Sequence, residues 1–141
     1  MIHLTKIFHF EMAHAIHGYN GACKNIHGHS YELQVTLSAS ENTDVYIPSP
    51  GFVIDFKEIK KIVNNVLIEH LDHKLVLSSN YLNEHPYLRV QENLVQWQME
   101  PSAENILLYT VSILRDSLTS NIKLVYLKLH ETKDSYAEWF E

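Results

Sequence analysis

Hydrophobic and polar residues alternate twice near the start of the chain. From residue 7 to residue 15, Phe8, Phe10 and Met12 fall on one side and Ile7, His9, Glu11 and Ala13 on the other, the period of two that marks a strand. The same parity puts His14 on the aromatic, core-facing side. Residues 18–25 are turn-rich, and alternation resumes over residues 27–37, where Tyr31, Leu33, Val35 and Leu37 share a face with His27 and His29. Sequential strands usually pair, so these two are expected to be antiparallel neighbours.

After a polar connection over residues 38–50, containing Pro48 and Pro50, residues 51–54 read as a third strand. Asp55 stands where it can cap a helix whose apolar positions are Phe56, Ile59, Val63, Val66 and Leu67, running to about Leu71. Residues 75–100 mix aromatic and apolar side chains without a clean period and read as an irregular excursion. Pro101-Ser102 opens a second helix with Ser102 as N-cap, a buried stripe of Ile106, Leu107, Thr110, Ile113 and Leu114, and an end near Leu118. Residues 122–131 read as a strand with Val125, Leu127 and Leu129 on one face, and the period carries Glu131 onto that face. A last short strand is expected at Tyr136–Phe140. The sum is an α+β arrangement, an antiparallel four-stranded sheet with two helices packed on one face.

At 141 residues and 45% hydrophobic composition the chain suits one compact domain spanning residues 1–141. Such a chain buries roughly two thirds of the surface its unfolded form exposes, which leaves little for a deep enclosed site. A site shared between subunits would ease that limit. The formal charge of −6, with no basic cluster longer than Lys60-Lys61, argues against nucleic acid or an anionic membrane as partner and toward a small molecule. Cys23 is the single cysteine and has no internal disulfide partner. The first six residues lack the apolar stretch of a signal peptide, and no apolar run approaches the roughly 20 residues that span a bilayer. A cytoplasmic location is therefore expected.

Chemistry concentrates in a few places. His27-Gly28-His29 sets two imidazoles at i and i+2 on one strand face, and His14 on the adjoining strand points the same way, so three nitrogens can converge on a metal ion. Three neutral ligands leave a fourth position open, the pattern of a catalytic zinc site, although imidazole also suits copper, nickel or iron. Each histidine alone would read as a satisfied half-buried side chain. Cys23 lies four residues before His27 in a glycine-flanked loop, where a dication and Lys24 would favour a thiolate. It is a candidate base or nucleophile, with a small hydrophobe or a fourth metal ligand as the alternatives. Asp72-His73 directly follows the first helix, and a carboxylate beside an imidazole fixes its tautomer for proton transfer. Glu131 is a carboxylate on a core face, costly unless it binds something. It would suit the amino-pyrimidinone edge of a pterin or guanine, or else a salt bridge. His3, His9, His17, His70, His85 and His130 look solvent-facing and receive no role.

In order along the chain stand Phe8-x-Phe10-x-x-Ala13-His14, Cys23-x-x-x-His27-Gly28-His29-x-Tyr31, Gly51-x-Val53-x-Asp55-Phe56, Leu71-Asp72-His73, Pro101-Ser102-Ala103-Glu104-Asn105 and His130-Glu131-Thr132. This series resembles the 6-pyruvoyltetrahydropterin synthase / 6-carboxytetrahydropterin synthase family, over nearly the whole chain. The resemblance implies the tunnelling fold, or T-fold. It implies a zinc ion on His14, His27 and His29, and a catalytic set of Cys23, Asp72 and His73, with Glu131 as the pterin anchor. It further implies rings of subunits, commonly hexamers built as dimers of trimers, with Asp72 and His73 reaching a neighbour's zinc and Cys23. The implied substrate is 7,8-dihydroneopterin triphosphate. The compact Cys-x-x-x-His-Gly-His spacing resembles the 6-carboxytetrahydropterin synthases of queuosine biosynthesis, which release triphosphate and acetaldehyde. The 6-pyruvoyl product is the runner-up, and a zinc- or pterin-binding protein without turnover is the non-enzymatic alternative. The excursion at 75–100 looks longer than in compact members, and only Lys24, Lys74 and Lys133 lie near the motifs as cations for a triphosphate.

Overall fold

A computed structural model of the chain describes residues 1–41 and 45–141. Residues 42–44 of the predicted polar connection lie outside the described residues. Strands β1 (Leu4–His14) and β2 (His27–Ala39) pair antiparallel from Leu4↔Leu37 to His14↔His27. Their inward row is the expected one. Phe8, Phe10, Met12, Tyr31, Leu33, Val35 and Leu37 are all buried, and the directly opposed Phe10 and Tyr31 rings stack at 5.0 Å.

The first helix begins at α1 (Phe56–Val63), where the Asp55 carboxylate accepts the Lys57 N–H at 2.8 Å as N-cap. It continues through a π-helical stretch (Asn64–Ile68) into α2 (Glu69–Leu71). Ile59, Val63, Leu67 and Leu71 are buried, while Phe56 stays exposed at the entrance. Strand β3 (Lys74–Ser78), helix α3 (Ser79–Glu84), a 3-10 turn (Pro86–Val90) and strand β4 (Leu94–Trp97) follow. Helix α4 (Ala103–Ser117) is capped by the Ser102 hydroxyl, which accepts the Asn105 N–H. Strands β5 (Ile122–His130) and β6 (Tyr136–Phe140) complete the chain.

These strands form one six-stranded sheet in the order β4-β3-β1-β2-β5-β6. An antiparallel block of four, β1-β2-β5-β6, is present, but β6 rather than residues 51–54 supplies its fourth strand. Residues 51–54 are irregular: Gly51 takes a φ of 86°, and Val53 and Ile54 pack on the core without pairing. Strands β3 and β4 extend the sheet in parallel, β3 along Met12–His14 of β1 and β4 along β3. Thus the 75–100 excursion holds two strands and a helix. Helices α1 and α4 share a core cluster with the inward row of β1, β2 and β5. Helix α3 covers the other face of the β1-β3 edge, where Ala15, Leu75, Leu77, Tyr81, Leu82 and Leu88 form a second cluster.

The pairing of β2 with β5 shifts register between Thr36 and Leu37, so that Thr36 opposes Tyr126 and Leu37 opposes Leu124. Val125, expected on the core face, is the extra residue of this bulge and is only partly buried, whereas Ile122 and Leu124 enter the core. Beyond the bulge Leu127 and Leu129 are buried as expected, and Glu131 follows on their side.

Candidate metal centre and active site

The far end of the β1–β2 ladder pairs Met12 with His29 and His14 with His27, which sets the three imidazoles side by side. Ring centroids lie 4.6 Å apart for His14 and His27, 5.2 Å for His14 and His29, and 4.9 Å for His27 and His29. Gly28 lets the strands close between them, since a Cβ there would stand 3.3 Å from the Met12 carbonyl oxygen.

Second contacts orient the rings. His14 Nδ1 is 2.6 Å from the Pro101 carbonyl oxygen and His27 Nδ1 is 2.7 Å from that of Asn25. A carbonyl only accepts, so each Nδ1 carries the hydrogen and each neutral ring presents a lone pair at Nε2. Those two Nε2 atoms face one another at 3.1 Å. Burial, above the opposing pull of Glu131, holds the His29 imidazole below its ordinary range and so keeps it neutral. Its Nε2 is buried without a hydrogen bond, although Glu131 Oε1 lies 2.7 Å away out of line.

Glu131 Oε1 also lies 3.4 Å from His14 Nε2. The contact with His14, then the other surrounding imidazoles, hold this carboxyl below its usual range against the effect of burial. One donor atom each from His14, His27, His29 and Glu131 can be chosen so that all lie within 4.8 Å of one another. Lone pairs and a carboxylate gathered in this way repel unless a cation or shared protons stand among them. The 3.1 Å separation of two Nε2 atoms is close to the roughly 3.3 Å edge of a tetrahedral zinc site. The donor set therefore fits a metal ion. Tyr31 lies beneath it, its hydroxyl 3.5 Å from the His14 ring nitrogens, and burial with the nearby Glu131 charge drives the phenol far above its ordinary value. It stays protonated.

Cys23 sits in a 3-10 turn (Ala22–Lys24) of the loop between β1 and β2, exposed, its carbonyl accepting the Ile16 N–H at 2.8 Å. It is outside the donor cluster, so among the described residues the fourth donor is Glu131 rather than Cys23.

Asp72 and His73 form a pair at the end of α2, with His73 Nδ1 3.1 Å from Asp72 Oδ2. Two bonds clip the pair to β1: Glu11 N–H donates to Asp72 Oδ1 at 2.9 Å, and His73 N–H donates to the Glu11 carbonyl at 2.6 Å. The clip holds His73 at a φ of 59°, a left-handed conformation that a non-glycine residue keeps only under constraint. Asn93 supplies more of that constraint, its amide donating to the His73 carbonyl at 3.1 Å. Sequence reasoning missed Asn93 because it lies in the excursion and no period marks it. Among the described residues no hydrogen bond or ion pair joins Asp72 or His73 to the histidine–Glu131 cluster. His73 and His29 do line one open cleft of about 350 Å³.

The Glu11 amide, then the His73 ring, hold the Asp72 carboxyl below its ordinary range. A carboxyl depressed on folding adds stability that is present above its unfolded pKa, near 3.8, and is lost as pH falls through the lower folded value. In Asp72→Asn the amide oxygen still accepts from Glu11 but the charge is gone. Thermal melts of Asp72→Asn and the unaltered chain are expected to differ at pH 7 and to converge below pH 3.8. A gap that persists unchanged at low pH would contradict the clip.

A family model of 6-pyruvoyl tetrahydropterin synthase matches residues 3–141. The chain belongs to this family. A 6-carboxy-5,6,7,8-tetrahydropterin synthase of Haemophilus influenzae is 29% identical over 147 residues, covering all of both chains. One from Rickettsia bellii is 30% identical over 142 residues, covering 98% of this chain and 99% of its own. Among solved structures, the 6-pyruvoyl tetrahydropterin synthase of Caenorhabditis elegans superposes with a TM-score of 0.70 at 20% identity, covering 99% of this chain and 95% of that one. An uncharacterized Wolinella succinogenes protein superposes at 0.75 with 18% identity, covering 99% and 97%. The fold is the family's T-fold, as the motifs led one to expect. No described helix is long and apolar enough to cross a membrane.

Proposed function

We propose that this chain is a zinc-dependent pterin synthase that converts 7,8-dihydroneopterin triphosphate and one water to 6-carboxy-5,6,7,8-tetrahydropterin with loss of triphosphate and acetaldehyde, the step that serves queuosine biosynthesis. The observation that carries it is the convergence of three histidines, two of them oriented by carbonyls, at the end of a β1–β2 ladder in a chain whose relatives bear that enzyme's name. In this reading residues 1–141 are one cytoplasmic enzyme domain. His14, His27 and His29 hold the zinc. Bound there, it would act as a Lewis acid toward the substrate's side-chain oxygens and acidify neighbouring carbon-bound protons.

The chain's own groups do the rest. Cys23, as thiolate, takes and returns a proton at the substrate side chain, and His73, oriented by Asp72, is the second proton carrier. Binding fixes the reacting carbons against these groups. Among the described residues no hydrogen bond or ion pair joins Asp72 or His73 to the metal cluster of their own chain, although His73 and His29 line one cleft, and this supports a site shared between subunits. The outward row of β1, with Ile7 49% exposed, offers a surface for such an assembly, a hexamer in this reading.

Glu131 is the pterin anchor in this account, leaving the donor cluster's edge to accept hydrogen bonds from the ring's amino-pyrimidinone side. A fully coordinated His3Glu centre, which its 2.7 Å approach to His29 favours, would instead make the protein a closed zinc binder. Glu131→Ala separates the two. The anchor predicts unaltered zinc content and a KM raised at least about tenfold, as loss of a charged hydrogen bond implies. Loss of zinc from that variant would identify Glu131 as a ligand. The overall test is turnover: zinc-loaded protein is expected to consume 7,8-dihydroneopterin triphosphate and release triphosphate, and inertness toward it would reject the reading.

A further inference from the structure

The loop of residues 15–26, which carries Cys23 between two ligand strands, has modest internal bonding. Ile16 N–H donates to the Cys23 carbonyl, and Lys24 and Asn25 N–H groups donate to Gly21 and Ala22 at 3.2 and 3.0 Å. Besides the bond from His27 of β2 to the Asn25 carbonyl, three contacts reach it from segments distant in sequence. The His17 N–H donates to Glu100 Oε1 at 2.7 Å, His17 Nε2 meets Glu84 Oε1 at 3.0 Å, and the Tyr81 hydroxyl donates to the Lys24 carbonyl at 3.0 Å.

Two of these three anchors are themselves fixed. Tyr81 is 6% exposed, stacks on His85 at 4.4 Å, and donates its N–H to the Ser78 hydroxyl at the N-cap of α3. Burial raises its phenol above the ordinary value, so it remains a donor. Glu100 is tied to the start of α4, its carbonyl accepting from Asn105 Nδ2 and from the Ser102 N–H, each at 2.9 Å. The next residue, Pro101, is the one whose carbonyl orients His14. One dipeptide thus grips the Cys23 loop with a side chain and the metal centre with a carbonyl. Glu84, 64% exposed, is the weak member.

We propose that Tyr81 and Glu100 are positioning residues, which clamp the Cys23 loop at a set distance from the three-histidine centre. The proposal rests on the reading of Cys23 as a proton carrier. It also explains what the 75–100 excursion contributes, since β3 and α3 deliver Tyr81 to Lys24 and the chain beyond β4 delivers Glu100 to His17. Neither Tyr81 nor Glu100 touches substrate or metal, and Asn25, whose carbonyl orients His27, keeps its own turn bond to Ala22, so kcat falls while KM and zinc content hold.

The test uses zinc-loaded Tyr81→Phe, Glu100→Ala and Glu100→Gln, the last keeping an acceptor oxygen in place. Deuterium uptake of residues 15–26 is followed by mass spectrometry, and kcat and KM are measured with 7,8-dihydroneopterin triphosphate. In Tyr81→Phe and Glu100→Ala, uptake is expected to quicken and kcat to fall, each by roughly five- to tenfold, the worth of one ordinary hydrogen bond. KM should stay within about twofold, and Glu100→Gln should recover most of both losses. Uptake at the unaltered rate in both variants overturns the clamp whatever the activity. Faster uptake with kcat unchanged also overturns it, because the loop's position would then not matter. If the unaltered protein makes no pterin product, the functional reading has failed, and the uptake arm still decides whether Tyr81 and Glu100 hold the loop.

Discussion

Cys23→Ala is expected to lower turnover by about 10²- to 10⁴-fold, the usual worth of a positioned proton carrier, with zinc and fold retained. The split follows from where the residue sits. Cys23 is exposed in a short turn, so its sulfur contributes little packing and its loss opens no cavity. It stands apart from the donor cluster of His14, His27, His29 and Glu131, so metal content should not change. Steady-state kinetics with zinc analysis of the same sample checks both halves. An alanine variant that loses its zinc would instead make Cys23 a ligand, and one that keeps full activity would remove it from the chemistry.

The second large effect is on the metal itself. His29→Ala is expected to weaken zinc binding by more than about 100-fold, beyond what loss of a supporting partner alone costs. His29 is the cleanest of the three to remove. His14 is 2% exposed and bonded to Pro101, so its loss also disturbs the start of α4, whereas the His29 side chain is 18% exposed and its Nε2 makes no hydrogen bond. Metal that binds only the folded chain stabilises it by about 4 kcal/mol at 1,000 times its Kd. Removing zinc with a chelator should therefore lower the Tm of the unaltered chain by roughly 10 °C and that of His29→Ala by about a third of that or less, since a 100-fold weaker site keeps only about 1.4 kcal/mol at the same zinc concentration. Equal responses in the two proteins would place the metal elsewhere.

The central hairpin was legible in the sequence because its strands bury apolar side chains on one face only, the buried residues on the other face of β2 being the polar Thr36 and Ser38. Strict alternation from Phe8 to Met12 and from Tyr31 to Leu37 fixed which side His14, His27 and His29 would share. Strands β3 and β4 were not legible for the converse reason. Leu75, Val76 and Leu77 are buried on both faces of a parallel pairing, so the run is continuously apolar and shows no period. Residues 51–54 misled in the opposite sense, Val53 and Ile54 packing on the core from an irregular segment that has no strand partner among the described residues. A bulge hid the parity of β5 at Val125, yet Glu131 kept its side because the shift lies upstream of it. The donor cluster follows from that parity together with the hairpin register. What the sequence left out were contacts made at long range by single polar groups, such as Pro101 on His14, Asn93 on His73 and Glu100 on His17. No local pattern encodes these, since each depends on where two distant segments meet.

The measurement that bears most directly on the proposed activity is product identification by mass spectrometry after zinc-loaded protein is incubated with 7,8-dihydroneopterin triphosphate, with Cys23→Ala in parallel. The expected products are 6-carboxy-5,6,7,8-tetrahydropterin and acetaldehyde, formed by the unaltered protein and all but lost in the variant. A 6-pyruvoyl product, or no product that depends on Cys23, would contradict it.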